Sequence, residues 1–318
     1  MKDRFGREIE YLRISLTDLC NLRCLYCMPA EGVSKLRHDQ VLSIEEVAEI
    51  AAAAVELGIR KIRLTGGEPL VRRGVVELVR MLRTLPGLRE LVLTTNGILL
   101  PELAQPLHDA GLDRVNISLD TLNAETYRRL TRVGSLEQAL AGIRAAQAAG
   151  LKPIKLNAVL IGGVNDSEIP ALAELTRSEA LEMRFIELMP IGDAYPFPQE
   201  AYLPVDTVLQ RLPELQPLPS ERGSVARRYA FPGAAGAVGL ISPVSCSFCG
   251  DRNRIRLTAD GHMKPCLHAA KEFPLRGLHG EALRDAIIAA VNAKPEAHGT
   301  LAATQRSEAG RSMNEIGG

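Results

Sequence analysis

Cys20, Cys24 and Cys27 stand in the run Cys20-Asn21-Leu22-Arg23-Cys24-Leu25-Tyr26-Cys27, a C-x3-C-x2-C spacing that follows the apolar run Tyr11 to Leu16. Thiolates are soft ligands for iron or zinc, and three protein ligands instead of four leave a coordination position open to a substrate or cofactor. An open position means chemistry. The alternatives are a closed structural zinc site completed by His38, or three unrelated buried thiols. A structural zinc site is usually built from two ligand pairs, and this run does not supply them.

Such a cluster of thiols needs elements to position it. Six short β-branched runs read as strands: Tyr11 to Leu16, Lys61 to Thr65, Glu90 to Thr94, Arg114 to Leu119, Ile154 to Leu160 and Glu182 to Leu188. Helical patterns separate them, which predicts parallel βα units. Ser43 with Glu46 makes a capping box before the apolar face Ile44, Val47, Ala48, Ala51 and Val55, and Gly58 supplies a left-handed stop. Ser135 with Gln138 repeats that pattern, ending at Gly150, and Pro101-Glu102 suits a helix start.

Six such units are too few to close an eight-stranded barrel, but they can curl into a partial one. Reactive groups in such sheets gather at the carboxyl ends of the strands. The first run leads into Thr17 and Cys20, the second into Thr65-Gly66-Gly67-Glu68-Pro69, and the third into Thr94-Thr95-Asn96-Gly97. The fourth carries Ser118 and Asp120, the fifth Lys155 and Asn157, and the sixth ends in Glu187 and Met189. Any one of these reads as an ordinary turn or strand-end residue. Six in phase define one functional face.

From Pro190 to about Arg222 prolines become frequent, and the segment reads as a connection with one short helix near Val205 to Leu212. Strands are expected at Val225 to Phe231 and Ala237 to Ile241. A hairpin is expected at Ile255 to Thr258 and His262 to Lys264, and a helix from Glu281 to about Asn292. The expected organisation is therefore a partial barrel over 1–190, a connecting segment over 191–222 and a C-terminal region over 223–318. With 318 residues and no formal net charge, the chain has no overall field for nucleic acid or an anionic membrane, so phosphate recognition must be local. The charged N-terminus lacks a signal-peptide core and no apolar run is long enough to span a bilayer. Together with six cysteines placed like metal ligands, this points to the reducing cytoplasm.

The cysteine run, with Tyr26 before its last thiol, and Gly66-Gly67-Glu68-Pro69 one βα unit later resemble the radical S-adenosylmethionine superfamily. The resemblance implies that Cys20, Cys24 and Cys27 hold a [4Fe-4S] cluster whose free iron chelates S-adenosylmethionine, which on receiving an electron releases a 5'-deoxyadenosyl radical. The motifs around Arg13, Arg63 to Leu70, Leu93 to Gly97, Asn116 to Asp120, Lys155 to Asn157 and Arg184 to Met189 are similar to the GTP 3',8-cyclase family of molybdenum-cofactor biosynthesis. So are the hairpin Asn253 to Thr258 and the ending Asn314-Glu315-Ile316-Gly317-Gly318. The resemblance implies that Tyr26, Gly67, Glu68, Ser118 and Met189 contact S-adenosylmethionine. It places GTP on Arg13, Arg63, Thr94, Lys155, Arg254 and Arg256, and makes Arg13, Gly317 and Gly318 the catalytic candidates. A triphosphate does need converging Arg and Lys groups. The implied partners are a reducing electron donor and a downstream cyclic pyranopterin monophosphate synthase, with room for a homodimer.

One departure stands out. The family places a cysteine directly before Asn-Arg as a ligand of a second [4Fe-4S] cluster, whereas here Arg252 precedes Asn253-Arg254. Either Cys246, Cys249 and Cys266 ligate that cluster through a local shift of the loop, or the cluster is labile or absent; the ligand count favours the first. The Gly317-Gly318 ending would ordinarily be a frayed tail. The resemblance implies instead that it reaches the active site.

Overall fold

The computed structural model describes residues 1–32, 36–191, 197–219, 224–245, 253–296 and 310–317. Its first half is a run of βα units. The strands are β1 (Tyr11–Ser15), β2 (Lys61–Thr65), β3 (Glu90–Thr95), β4 (Arg114–Ser118), β5 (Ile154–Leu160) and β6 (Leu181–Glu187). Between them lie α1 (Ile44–Glu56), α2 (Val75–Arg83), α3 (Leu100–Asp109), α4 (Ala124–Thr131), α5 (Leu136–Ala148) and α6 (Ile169–Ser178). All six expected strands form, each within a residue of its sequence-based limits.

The two serines that begin helices behave differently. At α1 the capping box closes in both directions: the Glu46 amide donates to Ser43 Oγ at 3.1 Å and the Ser43 amide to Glu46 Oε2 at 2.7 Å. At α5 the expected box with Gln138 does not form. Ser135 makes no side-chain cap, because its hydroxyl donates to the carboxylate of Glu137 instead. A charge-assisted bond to a carboxylate two residues away holds the short hydroxyl there.

The C-terminal part continues with α7 (Asp206–Arg211), β7 (Gln216–Pro217), β8 (Arg227–Ala230), β9 (Ala237–Ile241), β10 (Arg254–Leu257), β11 (His262–Lys264), β12 (Phe273–Pro274), α8 (Gly280–Asn292) and α9 (Met313–Ile316). These strands join the same sheet. Its order is β12-β11-β10-β1-β2-β3-β4-β5-β6-β9-β8-β7, with β10 parallel to β1 and β9 parallel to β6. The parallel barrel is thus widened at both edges by returning chain, and each edge then ends in antiparallel strands. The sheet stays open.

Alternation along the strands sets its two faces. Leu12, Ile14, Ile62, Leu64, Leu91, Leu93, Val115, Ile117, Leu156 and Phe185 are buried to 1 % exposure or less in the core shared with the helices. The residues between them, including Arg13, Arg63, Thr94, Asn116, Lys155, Asn157 and Arg184, line a cavity of about 860 Å³ on the other face. An apolar outer face buys the stability, and the polar inner face is left for ligands.

Candidate active site

The parallel strands β1 to β6 deliver their carboxyl-end residues to this cavity, and β1 to β5 their amino ends as well. Cys20, Cys24, Cys27, Gly67, Glu68, Asp120 and Met189 lie on its lining at one end, and Tyr11, Lys61, Glu90 and Arg114 at the other. Ser118, Tyr26, Thr94, Lys155, Arg254, Arg256 and Cys266 line it too. Cys246, Cys249 and Gly318 fall outside the described residues, as does Arg252.

Around the thiols the chain is held by backbone contacts. The Leu22 amide donates to Cys20 Sγ at 3.3 Å. Arg23 donates to the carbonyls of Cys20 and Leu22, and Arg132, whose backbone takes φ +64°, donates to those of Arg23 and Met28. Burial pushes the Cys20 thiol up to about 11 and Cys27 up to about 12, and raises Cys24 as well. Thiols so placed stay protonated until a metal displaces the proton.

The two glycines after β2 have a steric reason. A Cβ on Gly67 would lie 2.3 Å from the Leu19 carbonyl oxygen, and one on Gly66, at φ +151°, 2.6 Å from that of Thr17. Bare backbone lets the strand end pack against the loop into Cys20, with Gly67 N–H donating to Thr17 O at 2.7 Å and Glu68 N–H to Leu19 O at 2.8 Å. Glu68 itself, 1 % exposed, accepts from Leu70 N, Thr95 Oγ1 and Asn96 N, and burial raises it to about 7. Tyr26 donates to Asp120 Oδ2 at 2.7 Å, and burial lifts Asp120 to about 6.

The cations fall into two groups. Glu90 pairs with Lys61 and Arg114, and Glu182 with Lys155 and Arg184. Burial and the adjacent Arg184 bring Lys155 down to about 8 despite Glu182. Arg256, Arg13 and Arg63 form the second group: they are register partners on the adjacent parallel strands β10, β1 and β2. Among the described residues none of the three has a carboxylate partner. Arg13 donates to Tyr11 Oη at 3.3 Å, Arg256 donates to the carbonyls of Ile316 and Gly317, and the buried Nε of Arg63 has no partner. Burial, and after it Arg13, Arg114 and Arg184, pull Arg63 down from its ordinary range. A guanidinium does not give up its proton inside a protein, so this layer keeps its positive charge. Thr94 Oγ1, Asn116 Nδ2 and Asn157 Oδ1, on the three following strands, are also buried without partners.

Comparison with known proteins agrees with this geometry. Residues 14–176 match the family model described as Radical SAM superfamily, and residues 181–300 that described as Molybdenum Cofactor Synthesis C. The chain is 48 % identical over 321 residues to a GTP 3',8-cyclase of Alkaliphilus oremlandii, with 100 % of both chains covered. It is 52 % identical over 300 residues to that of Peptoclostridium acidaminophilum, covering 93 % of this chain and 92 % of the relative. The chain belongs to the GTP 3',8-cyclase family. Among solved structures, Streptococcus suis SuiB bound to its precursor peptide SuiA aligns over 92 % of this chain and 66 % of its own at TM-score 0.63 and 14 % identity. Methylornithine synthase aligns over 65 % and 63 % at TM-score 0.51 and 19 % identity, and both share the fold alone.

Membership in the GTP 3',8-cyclase family implies a [4Fe-4S] cluster with S-adenosylmethionine, and the donor set fits one. Three half-buried thiols face one cavity, while His38, the candidate fourth ligand of a closed zinc site, is exposed and off its lining. Among the described residues no three His, Cys, Asp or Glu side chains are set around a single ion. No helix of the described residues is long and apolar enough to cross a membrane.

Three features escaped the sequence reading. Tyr11 lies among Arg13, Lys61 and Arg63, with their charged groups 5.2 to 5.6 Å from its ring. The period-2 step Tyr11, Arg13, Ser15 was available as a signal. Glu182 and Arg184 share the same period along β6. Arg132 had no signal at all, because its role depends on the fold bringing α4 to the cysteine loop.

Proposed function

We propose that this chain cyclises GTP to (8S)-3',8-cyclo-7,8-dihydroguanosine 5'-triphosphate, the first step of molybdenum-cofactor biosynthesis. The observation that carries the reading is the in-register trio Arg256, Arg13 and Arg63, a layer without carboxylate partners among the described residues, in a cavity that also holds the three thiols. A triphosphate supplies the anion that layer lacks, and its nucleoside then extends along the lining towards Cys20, Cys24 and Cys27.

Cys20, Cys24 and Cys27 would hold the first cluster, with Tyr26, Gly67, Glu68, Ser118 and Met189 around its S-adenosylmethionine. When bound, that pair supplies one-electron reduction of the sulfonium and so a carbon radical that takes the ribose 3'-hydrogen. The remaining work belongs to the chain. Arg13, Arg63, Arg254 and Arg256 hold the phosphates, and Lys155 and Thr94 fix the nucleoside, with Asn116 and Asn157 offering unpartnered polar atoms beside them. So held, C3' would face guanine C8; forming the C3'–C8 bond opens the C8=N7 double bond and leaves the unpaired electron on N7, and one further electron from the reducing donor with one proton gives the 7,8-dihydro nucleotide. Gly317, whose carbonyl accepts from Arg256, and Gly318 after it in the chain would be the catalytic glycines.

Cys266, 9 % exposed on the cavity wall, would join Cys246 and Cys249 in a second cluster on the C-terminal side. The division at 190 and 222, a cytoplasmic location, a low-potential electron donor and a following pyranopterin-forming enzyme belong to the same proposal. Anaerobically reduced protein with S-adenosylmethionine is expected to release 5'-deoxyadenosine faster when GTP is added and to yield the 3',8-cyclised nucleotide. Release that ignores GTP sinks the proposal. Reconstituted chain should carry about eight irons, falling towards about four in Cys246→Ala; an unchanged count removes Cys246 from the ligand set.

A further inference from the structure

The segment 310–317 returns to the cavity after α8, and its contacts show how it is held. Arg311 donates to Glu272 through Nε at 2.7 Å and Nη2 at 2.6 Å, and to Asp260 Oδ2 at 2.9 Å. All three side chains are less than 20 % exposed, so solvent screens these pairs little. Both carboxylates are fixed from behind. Asp260, in the β10–β11 turn, accepts from Thr258 Oγ1 at 2.5 Å, and Glu272 also holds the fully buried Lys264 at 2.8 Å.

Beyond Arg311 the chain stiffens at once. Ser312 caps α9, its amide donating to Glu315 Oε2 at 2.7 Å. Asn314 Nδ2 donates to the Asp18 carbonyl at 3.2 Å, and Ile316, 1 % exposed, packs against Ile191. The carbonyls of Ile316 and Gly317 then accept from Arg256. Gly317 takes φ +67°, and a Cβ there would sit 2.4 Å from Thr65 Cγ2.

One hairpin therefore grips the segment twice, at Asp260 in its turn and at Arg256 on β10. A single contact would let the segment pivot; two contacts, one in the turn and one on the strand, do not. The second grip has its own logic. Backbone carbonyls orient a guanidinium without cancelling its charge, as a carboxylate would, so Arg256 stays available to an anion.

We propose that Arg311 is a positioning residue: its ion pairs with Asp260 and Glu272 set where α9 and Gly317 dock, and through the Ile316 and Gly317 carbonyls they set the direction of Arg256. The catalytic consequence rests on the function proposed above, whereas the anchoring does not. The test uses full-length, reconstituted Arg311→Gln. Amide hydrogen exchange over 312–317 is expected to quicken, and GTP-stimulated 5'-deoxyadenosine release to fall, each by about ten-fold, the loss expected for one buried charged hydrogen bond. Iron content and S-adenosylmethionine binding stay at wild-type levels. Arg311→Lys, which keeps the charge, restores most of both, and Asp260→Asn with Glu272→Gln reproduces the loss. Unchanged exchange over 312–317 in Arg311→Gln overturns the anchor. Faster exchange with undiminished GTP-stimulated release overturns the positioning role. If wild-type chain does not respond to GTP, the functional reading fails, and hydrogen exchange still decides the anchor.

Discussion

Arg63 is 7 % exposed, lacks a carboxylate partner among the described residues and lies in register with Arg13. A buried, uncompensated cation costs several kcal/mol, and replacing such a charge with an apolar side chain of similar volume commonly stabilises the fold. Arg63→Met is therefore expected to raise the stability of the ligand-free chain by about 1 to 3 kcal/mol in denaturant melts. The same change should weaken GTP binding by roughly 100-fold, since a charge-assisted phosphate contact is lost. A variant that loses both stability and GTP binding would make Arg63 a structural residue. Tyr11 gives a second prediction. Burial raises its phenol, but Arg13, Arg63, Arg254 and Lys61 outweigh burial and bring it to about 7 from its ordinary 10. Between those values the unfolded chain binds the proton that the folded chain has released, so this group adds stability as pH rises from 7 to 10 and loses it as pH falls to 7. Tyr11→Phe should lower the gain in melting temperature between pH 7 and pH 9. An unaltered gain would show the phenol to be protonated throughout. The identities of Arg13 and Arg63 were legible in the chain. Their lack of carboxylate partners among the described residues was not, because it depends on the sheet placing Glu90 beside Lys61 and Arg114, and Glu182 beside Lys155 and Arg184.

At the scale of elements, the strand ends were legible because period-2 alternation needs no partner to be seen, and the capping box at Ser43 because its two partners are three residues apart. The equivalent pattern at Ser135 failed for a reason equally local, the Glu137 carboxylate. The glycines after β2 were legible as a motif, but their packing partner was not. The sequence suggested backbone bared to a cofactor, whereas the first thing a side chain on Gly67 would strike is the carbonyl of Leu19. Gly67→Ala is expected to push the loop that precedes Cys20 out of place. Reconstituted protein should then retain less iron while its far-ultraviolet circular dichroism, dominated by the helices and the rest of the sheet, stays unchanged. Full iron retention would show that the loop gives way without disturbing the thiols.

The whole molecule is a partial barrel whose C-terminal chain returns to both edges, β10 beside β1 and β9 beside β6. Parallel strands with a bare edge pair readily with other chains. A fragment of residues 1–190, which would leave β1 and β6 uncovered, is expected to self-associate on size exclusion, and a monodisperse folded fragment would contradict this. The chain order of residues was enough to identify strands, helices, a thiol motif and the cations a triphosphate needs, because each of those signals lies within a few residues and follows from local geometry. Which cations stay unpaired, that the lining runs from one end of the strands to the other, and that Arg256 meets Gly317 were decided only in three dimensions. Those contacts join positions distant in the chain, such as Arg256 and Gly317, 61 residues apart, and their energies depend on which acids the open sheet brings near and which it leaves elsewhere.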